Sequence, residues 1–356
     1  MKNIITGTSI LGALILGTLW LSSCSKSDDM NMSDPKLNIN YPAAYVVNGQ
    51  DGTISVIKLA TNEVTETVSL MGTGTDMIMW PHHISLHSNH LAIGVPGMDF
   101  SAGHTAGMEG MTGKLLVIDA VNGTTVKNIN LPMMNHNTIY SPNGLEIWVP
   151  QMDMNGKVLV YDALTYTLKN TIAVGMMPAE LTFSSDGTKA YVANGDDNTV
   201  SVINTTTKQV TATVAVGNNP VGAWTGSDAR MYVDNEDGQS ISVINVATDA
   251  VDQTIDLGFM PGIASHNGNK KELWVSDPVN AKVHYWTWDQ TMMMWMHGGV
   301  FTTGSGAHAI TFTADGNTAY VTNQTANTVS VVNVSNHTVS KTINVGRKPN
   351  GLVLKM

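Results

Sequence analysis

Histidine and methionine are the side chains of this sequence best suited to chemistry. The chain has 11 His and 22 Met among 356 residues but a single Cys. Imidazole nitrogens bind copper or zinc, and thioether sulfur is a soft ligand that selects copper(I). The sequence contains no CxxCH motif for covalent haem, no GxSxG, no glycine-rich phosphate loop and no HExxH. The residue types therefore favour metal binding over the common hydrolytic chemistries.

Composition and charge exclude several classes of protein. Hydrophobic residues make up 42% of the chain and charged residues 13%, so a disordered chain is a poor fit. The net charge is -10, from 18 basic and 28 acidic side chains, and the basic residues form no cluster along the sequence. Because phosphate binding needs a concentrated positive patch, we expect no nucleic-acid partner.

The first 23 residues have the pattern of a secretory signal. Lys2 supplies a positive start, and an apolar run follows over 4–21. The sequence LSSC at 21–24 resembles the lipobox of bacterial lipoproteins, in which the cysteine is lipidated after cleavage. This resemblance implies that 1–23 is a lipoprotein signal peptide, that Cys24 is the lipidation site, and that the protein is held to the membrane through this lipid.

A polar segment separates the proposed lipid from the rest of the chain. Residues 24–42 contain prolines and few apolar side chains, which predicts a flexible lipidated tether. Asp28 and Asp29 resemble the surface-export signals of Bacteroidota lipoproteins. We therefore expect an outer-membrane lipoprotein of the cell envelope, facing either the periplasm or the outside.

The elements that must position the histidines belong to an internal repeat. Residues 188–216 match 317–345, and further copies occupy 43–69 and 229–256. Each copy consists of short, β-branched, alternating runs separated by Asn, Asp or Gly, which is typical of strands and tight turns. Seven equivalent loop positions, 54, 43, 42, 41, 46 and 42 residues apart, are Pro81, Asn135, Pro178, Pro220, Pro261, Ala307 and Pro349.

A repeat of about 42 residues with four strands predicts a β-propeller blade. The sequence thus predicts an all-β, seven-bladed propeller over 43–356. The first strand, Ala44–Asn48, is predicted to be the second strand of its blade. The last segment, Asn350–Lys355, supplies the missing innermost strand, so pairing of the N- and C-terminal strands in one blade closes the ring.

The motif Tyr-Val-x-Asn begins at Tyr45, Tyr191, Tyr232 and Tyr320. It resembles the repeat of the YVTN family of seven-bladed propellers, and the resemblance covers residues 43–356. Relatives of this fold include surface-layer proteins, lactonase-like enzymes, subunits of redox enzymes and the copper-holding propeller of nitrous-oxide reductase. A fold with so many roles does not identify an activity.

The position after each aligned loop residue is predicted to lie at the rim of the central channel. Around the ring this position holds Asn350, His82, His136, Ala179, Val221, Gly262 and His308. Three imidazoles at one rim, with His83 adjacent, suit a copper or zinc ion with an open coordination position. Glu180, beside another rim position, is either a further ligand or base or an ordinary acidic residue of the channel.

Methionines concentrate on the same predicted face. Thirteen of the 22 lie in loops there: Met71, Met77, Met79, Met98, Met108, Met111, Met133, Met134, Met152, Met154, Met176, Met177 and Met260. We expect Met134 and Met177 to assist the histidines, and the insertion Gly97–Gly113 to act as a lid that adds His104. Soft and intermediate donors together favour copper, with zinc as the other candidate.

Two other functions remain open at this stage. A Met-rich rim could instead bind a protein or peptide partner, because methionine adapts to varied surfaces. The chain could also be a propeller enzyme, either a copper oxidase or a lactonase relative. The run MMMWMH at 292–297 is predicted on the opposite face, as a second soft-metal patch or a hydrophobic hairpin.

Overall fold

The computed structural model describes residues 37–70, 78–100 and 111–356. All regular structure in these ranges is β-strand. No helix there could cross a membrane. The predicted signal peptide, Cys24, the tether up to residue 36, and His104 lie outside the described residues.

The described chain forms 28 strands. The first ten are β1 (Ala43–Asn48), β2 (Thr53–Lys58), β3 (Glu63–Ser69), β4 (Ile84–His87), β5 (His90–Val95), β6 (Lys114–Asp119), β7 (Thr125–Asn130), β8 (Ile139–Tyr140), β9 (Glu146–Gln151) and β10 (Lys157–Asp162). The next nine are β11 (Leu168–Ala173), β12 (Pro178–Phe183), β13 (Lys189–Asn194), β14 (Thr199–Asn204), β15 (Gln209–Ala215), β16 (Pro220–Thr225), β17 (Arg230–Asn235), β18 (Ser240–Asn245) and β19 (Ala250–Asp256). The last nine are β20 (Ala264–Asn267), β21 (Glu272–Asp277), β22 (Lys282–Asp289), β23 (Met294–Thr302), β24 (Ala307–Phe312), β25 (Thr318–Asn323), β26 (Thr328–Asn333), β27 (Thr338–Asn344) and β28 (Pro349–Lys355).

These strands form seven antiparallel sheets of four, which are the blades of a propeller. Blade one has the order β28-β1-β2-β3, and blades two to seven are successive meanders from β4 to β27. In blade one, Ala43 pairs with Lys355 and Asn48 with Pro349. The predicted seven-bladed fold and its closure by the terminal strands are therefore confirmed.

The core lies between neighbouring blades. Middle strands such as β13 and β14 are almost wholly buried, because both faces of each blade pack against another blade, whereas outer strands such as β15 are largely exposed. One apolar cluster, for example, joins Tyr45 and Ile54 of blade one to Ile93 and Leu116 of blade two. Successive side chains of a strand point to opposite faces of its sheet, so burial on both faces explains why the middle strands are buried along nearly their whole length.

The Tyr-Val-x-Asn motif has a clear structural role. Its asparagine ends the second strand of a blade, and its amide donates hydrogen bonds to hydroxyl groups at the start of the next strand. In blade four, Asn194 Nδ2 lies 3.1 Å from Thr199 Oγ1 and 2.9 Å from Ser201 Oγ. Asn48, Asn235 and Asn323 make equivalent bonds. The asparagine of each motif therefore stabilises the hairpin between the second and third strands of its blade.

The last residues before β1 pack against the propeller. Residues 37–42 are part of the predicted flexible tether, but Ile39 is fully buried in the cluster shared by blades one and two. Its backbone N–H donates to the carbonyl of Val121 at 2.8 Å. The described part of this segment therefore adheres to the ring.

The two faces of the ring carry different loops. The upper face holds the loops that enter each innermost strand and those that join second and third strands. The lower face holds the turns between first and second strands and between third and fourth strands. This division follows from the antiparallel order of each blade and places all the predicted rim positions on the upper face.

Candidate metal centre

Four histidines from three blades meet at the upper end of the central channel. The ring centroid of His82 lies 4.5 Å from that of His83 and 4.4 Å from that of His136. His308 reaches the same point across the channel, with its ring 5.6 Å from His82 and 5.8 Å from His83. The structure thus brings together the four histidines that the repeat places at or beside the rim.

Backbone contacts hold the His82–His83 segment between blades one and two. The N–H of His82 donates to the carbonyl of Gly94 at 2.8 Å, and Gly94 donates to the carbonyl of His83 at 3.0 Å. On the other side, the N–H of Gly351 donates to the carbonyl of His82 at 3.0 Å. A Cβ on Gly94 would lie 2.9 Å from the carbonyl oxygen of His136. Glycine at this position therefore lets the two histidine-bearing segments approach closely.

Glu180 of blade four completes the cluster. Its Oε1 lies 2.6 Å from His136 Nδ1 and 2.7 Å from His83 Nε2. The pairing of β12 with β13 shifts register between Pro178 and Leu181, so Glu180 sits in a β-bulge at the start of the innermost strand. Bulges of this kind redirect a side chain from the regular alternation of a strand. The bulge therefore explains why Glu180 joins the histidines although it is one residue past its rim position.

Asn137 orients the carboxylate of Glu180. Its amide donates to Glu180 Oε2 at 3.2 Å and to the carbonyl of Leu181 at 2.8 Å. Its own carbonyl oxygen accepts from the N–H of Leu181 at 3.3 Å. With Asn137, Glu180 and His136 all buried, the carboxylate is held in one direction.

The donor atoms of this cluster fall into two overlapping sets that could hold a metal ion. One set is His82, His83 and His308, and the other is His83, His136 and Glu180. Within each set the candidate ligand atoms all lie within 4.8 Å of one another. Since metal–nitrogen bonds are about 2.0–2.1 Å, ligands of one ion lie up to about 4.2 Å apart. Small side-chain rotations would therefore suffice, and the residues fit a metal.

The contact between His83 and Glu180 has the distance of an ion pair but not the alignment of a hydrogen bond. Among the described residues, the buried His83 Nε2 has no aligned hydrogen-bond partner, although Glu180 Oε1 is 2.7 Å away. A hydrogen bond between the two side chains therefore does not account for this short contact.

A small cavity of about 60 Å³ adjoins the cluster. Its lining includes His82, His136, His308, Glu180 and Glu236, together with apolar residues such as Phe100 and Val221. Among these lining residues the formally charged side chains are Glu180 and Glu236, and none is Lys or Arg. The cavity is large enough for an ion with bound water, and its charge favours a cation.

Trp224 of blade five forms the wall below His83. The two ring centroids are 5.9 Å apart, and Trp224 lines both this cavity and the channel beneath it. The indole N–H donates to the carboxylate of Asp234, which also accepts from the N–H of Gly222 at 3.1 Å. Burial raises the pKa of Asp234 well above its usual value, and the charges of Glu236 and Glu180 raise it further. Sequence reasoning missed both residues, because neither occupies a rim position.

Five of the predicted rim methionines belong to a separate apolar cluster beside the histidines, whereas Met71, Met77 and Met108 lie outside the described residues. Met134 and Met152 are buried together with Phe100, and Met177 packs against them. The ring of Phe100 also stacks on His136, with centroids 5.1 Å apart. Phe100 therefore lies in contact with both groups. A ligand role for Met134 and Met177 stays a prediction, as does that of His104, which lies outside the described residues.

The run at 292–297 forms the end of a hairpin on the lower face, as its place in the blade predicts. Met292 and Met293 occupy the turn between β22 and β23 and are exposed, while Trp295 is buried. His297 lies beside Trp286, with ring centroids 5.4 Å apart.

No protein-family model matches the chain, and the comparison with curated proteins gives no match either. Among solved structures, a periplasmic gluconolactonase from Pseudomonas aeruginosa is similar, with a TM-score of 0.67, 14% identity, and coverage of 88% of this chain and 99% of that one. A protein of unknown function from Desulfotomaculum acetoxidans has a TM-score of 0.69 and 13% identity, over 88% and 98% of the two chains. A proposed 6-phosphogluconolactonase from Bacteroides fragilis has a TM-score of 0.67 and 15% identity, over 89% and 99%. At such identities these similarities show the propeller fold alone.

Proposed function

We propose that this chain is a YVTN-type propeller lipoprotein of the cell envelope that binds a copper ion at the upper end of its channel. His82, His83, His136 and His308 would hold the ion, with Glu180 as a fifth donor or as the partner that orients His136. The observation that carries this proposal is the convergence of four imidazoles and one carboxylate within two sets of mutually close donor atoms. The bound ion would serve copper capture, copper delivery or a redox reaction.

Copper is favoured over other ions by the donor types. Imidazole binds both copper oxidation states, and a nitrogen-rich site follows the usual order of affinities, in which copper(II) exceeds zinc. The methionine cluster around Phe100 adds soft donors beside the site, which suits the arrival of copper(I). Zinc is the alternative ion, since three histidines with an open position also suit zinc.

Metal analysis of protein purified under native conditions tests the proposal. We expect about one copper per chain and loss of this copper in the double variant His82→Ala plus His136→Ala. The matched control is His90→Ala plus His297→Ala, which removes two imidazoles outside the cluster. Unchanged copper in the first variant would reject the site and favour the other role, a metal-free scaffold that binds a protein or peptide through the Met-rich face.

The lipid anchor is a separate part of the proposal. It is supported by the LSSC sequence at 21–24 and by the polar segment that follows. Metabolic labelling with a radioactive fatty acid in a bacterial host should label the protein, and Cys24→Ser should abolish the label and release the protein from the membrane fraction. Equal labelling of Cys24→Ser would reject Cys24 as the site.

A lactonase is the second candidate function. The similar structures from Pseudomonas and Bacteroides are described as a gluconolactonase and a 6-phosphogluconolactonase, which favours this candidate. The close pair of Glu180 and His136 could act as a general base. Hydrolysis of glucono-1,5-lactone by purified protein, lost in Glu180→Gln, would support it. Absence of turnover above the spontaneous rate would reject it.

A further inference from the structure

A second cavity lies on the lower face of the ring, away from the histidine cluster. It has a volume of about 270 Å³ and opens between blades five and six. The turn before β17 contributes Ser227 and Asp228, the first residue of β17 is Arg230, and the turn before β21 contributes Lys271. The third and fourth strands of blade six contribute Trp288 and Trp295. None of these residues belongs to the metal centre.

A long hairpin of blade six builds one wall of this cavity. β22 and β23 contain 8 and 9 residues, against 6 and 7 for the corresponding β14 and β15 of blade four. The hairpin is tied to blade five by Gln253, whose amide donates to the carbonyl of Trp295 at 3.0 Å and accepts from its N–H at 2.8 Å. Trp288 packs edge to face on Trp295, with centroids 5.5 Å apart. The wall is therefore held by hydrogen bonds and aromatic packing.

Arg230 is fixed at the cavity with part of its guanidinium available. The guanidinium lies 4.1 Å from the centre of the Trp288 ring, which is the geometry of a cation–π contact. Its Nη1 donates to a carboxylate oxygen of Asp228 at 3.2 Å. Nε and Nη2 make no hydrogen bond within the described residues. An arginine held in this way offers a planar, paired donor edge, which suits a carboxylate.

The charge of the cavity is positive although the chain is acidic. Arg230 and Lys271 are two of the 18 basic residues of the chain, and among the described residues that line the cavity the acidic one is Asp228. Oδ2 of Asp228 accepts hydrogen bonds from Arg230 and from the hydroxyl of Tyr232 at 2.7 Å, and its buried Oδ1 has no hydrogen-bond partner among the described residues. The ammonium of Lys271 has no partner within the described residues.

His266 adds no charge at neutral pH. Burial lowers the pKa of its imidazole, and Nδ1 accepts a hydrogen bond from the N–H of Ser227 at 3.1 Å. Asp289, at the end of β22, accepts hydrogen bonds from the N–H groups of Thr291 and Met292 and does not line the cavity. One net positive charge therefore faces the ligand space.

We propose that this cavity binds a small hydroxycarboxylate. The carboxylate would pair with the free edge of Arg230 and with Lys271, and its single charge would balance that of the cavity. The hydroxyl groups would meet polar side chains of the lining, among them Ser227 and Gln290. A volume just below that of drug-sized pockets limits the ligand to a small molecule. The proposal does not rest on the metal centre.

Calorimetric titration of the metal-free full chain with gluconate, glucose and inorganic phosphate at low salt tests this proposal. We expect gluconate to bind, glucose to show no binding, and phosphate to bind more weakly than gluconate. Arg230→Gln and Lys271→Gln should each weaken gluconate binding at least about tenfold, because each removes a charge-assisted contact. Lys282→Gln, which alters an exposed lysine at the other end of β22, should change nothing.

Three results would overturn the inference. If gluconate gives no binding signal, the site is rejected. If glucose binds as tightly as gluconate, the role of the two cations is rejected. If phosphate binds more tightly than gluconate, a carboxylate is not the preferred ligand. If Arg230→Gln does not fold, Lys271→Gln decides, since Lys271 is exposed. The copper content measured on the same samples keeps this result distinct from the fate of the metal proposal.

Discussion

Glu180 Oε1 lies 2.6 Å from Nδ1 of His136, and the exposed fractions of the two side chains are 3% and 2%. The pair joins blade four to blade three at the mouth of the channel. A carboxylate bonded to one nitrogen of an imidazole sets the tautomer of the ring and raises its basicity as a ligand. In the proposed metal site, Glu180 would therefore orient His136 whether or not the carboxylate itself binds the ion.

Glu180→Gln should weaken copper binding while leaving the protein folded. The amide keeps the shape of the side chain but loses the charge, and loss of such a partner typically costs about 10- to 100-fold in metal affinity. Competition with a chelator of known affinity measures the change. Glu63→Gln, which alters an exposed carboxylate on β3, is the control, and equal affinities in the two variants would contradict the role of Glu180.

Copper should stabilise the folded protein. A ligand that binds only the folded state at a hundred times its dissociation constant adds about 2.7 kcal/mol to the free energy of unfolding. Urea denaturation with and without copper measures this gain, which should vanish in His82→Ala plus His136→Ala. The same gain in the double variant would place the bound copper elsewhere.

Copper affinity should fall as the medium becomes acidic. A histidine binds metal only in its neutral form, and the ordinary pKa of the side chain is about 6.5. Protons therefore compete for the imidazoles increasingly below that pH. Titrations at pH 7.5 and 5.5 should show a loss of well over tenfold if several histidines bind the ion. A flat profile would contradict a histidine site.

The metal-free protein should lose stability in mild acid through His266. Burial lowers the pKa of this imidazole in the folded state, so the unfolded chain takes up the proton more readily. The free energy of unfolding therefore has its full value, as far as His266 is concerned, above the ordinary pKa of about 6.5, and it declines as the pH falls below that value. His266→Asn retains an acceptor for the N–H of Ser227, and should reduce the difference between urea midpoints at pH 7.5 and 5.5. His90→Asn is the matched control, and equal reductions in the two variants would exclude His266 as the cause.

Gly346 lies just before the closing strand β28 and packs closely against Asn48 of blade one. A Cβ there would lie 2.5 Å from Cγ of Asn48, whose amide is fixed by Thr53 and Ser55 at 3.0 and 2.9 Å. Gly346→Ala should therefore lower the free energy of unfolding by about 1–3 kcal/mol through overpacking. In Gly195→Ala the nearest atom would be a side-chain oxygen 3.1 Å away, so the loss should be smaller. Equal urea midpoints for the two variants would contradict the closer packing of Gly346 against Asn48.

The repeat made the fold and part of the site predictable. Tyr45 and its three equivalents set the register of the blades, and this register alone places His82, His136 and His308 at one rim. It leaves the role of Glu180 open, because the bulge between Pro178 and Leu181 moves that side chain out of the regular alternation. A sequence signal existed, since His83 and Glu180 each follow their aligned proline by two residues.

By itself, the sequence determined the all-β class, the seven blades, the closing strand and the face that carries the histidines. These features repeat every 42 residues or so, and a repeated pattern can be interpreted without coordinates. The tertiary structure decided which side chains touch: it joined Glu180 to His83 and His136, grouped the methionines around Phe100, and placed Arg230 and Lys271 at one cavity. The contacts of Glu180 and the meeting of Arg230 with Lys271 cross from blade to blade over 40 or more residues, so they depend on bulges, side-chain directions and ring geometry that local sequence does not encode.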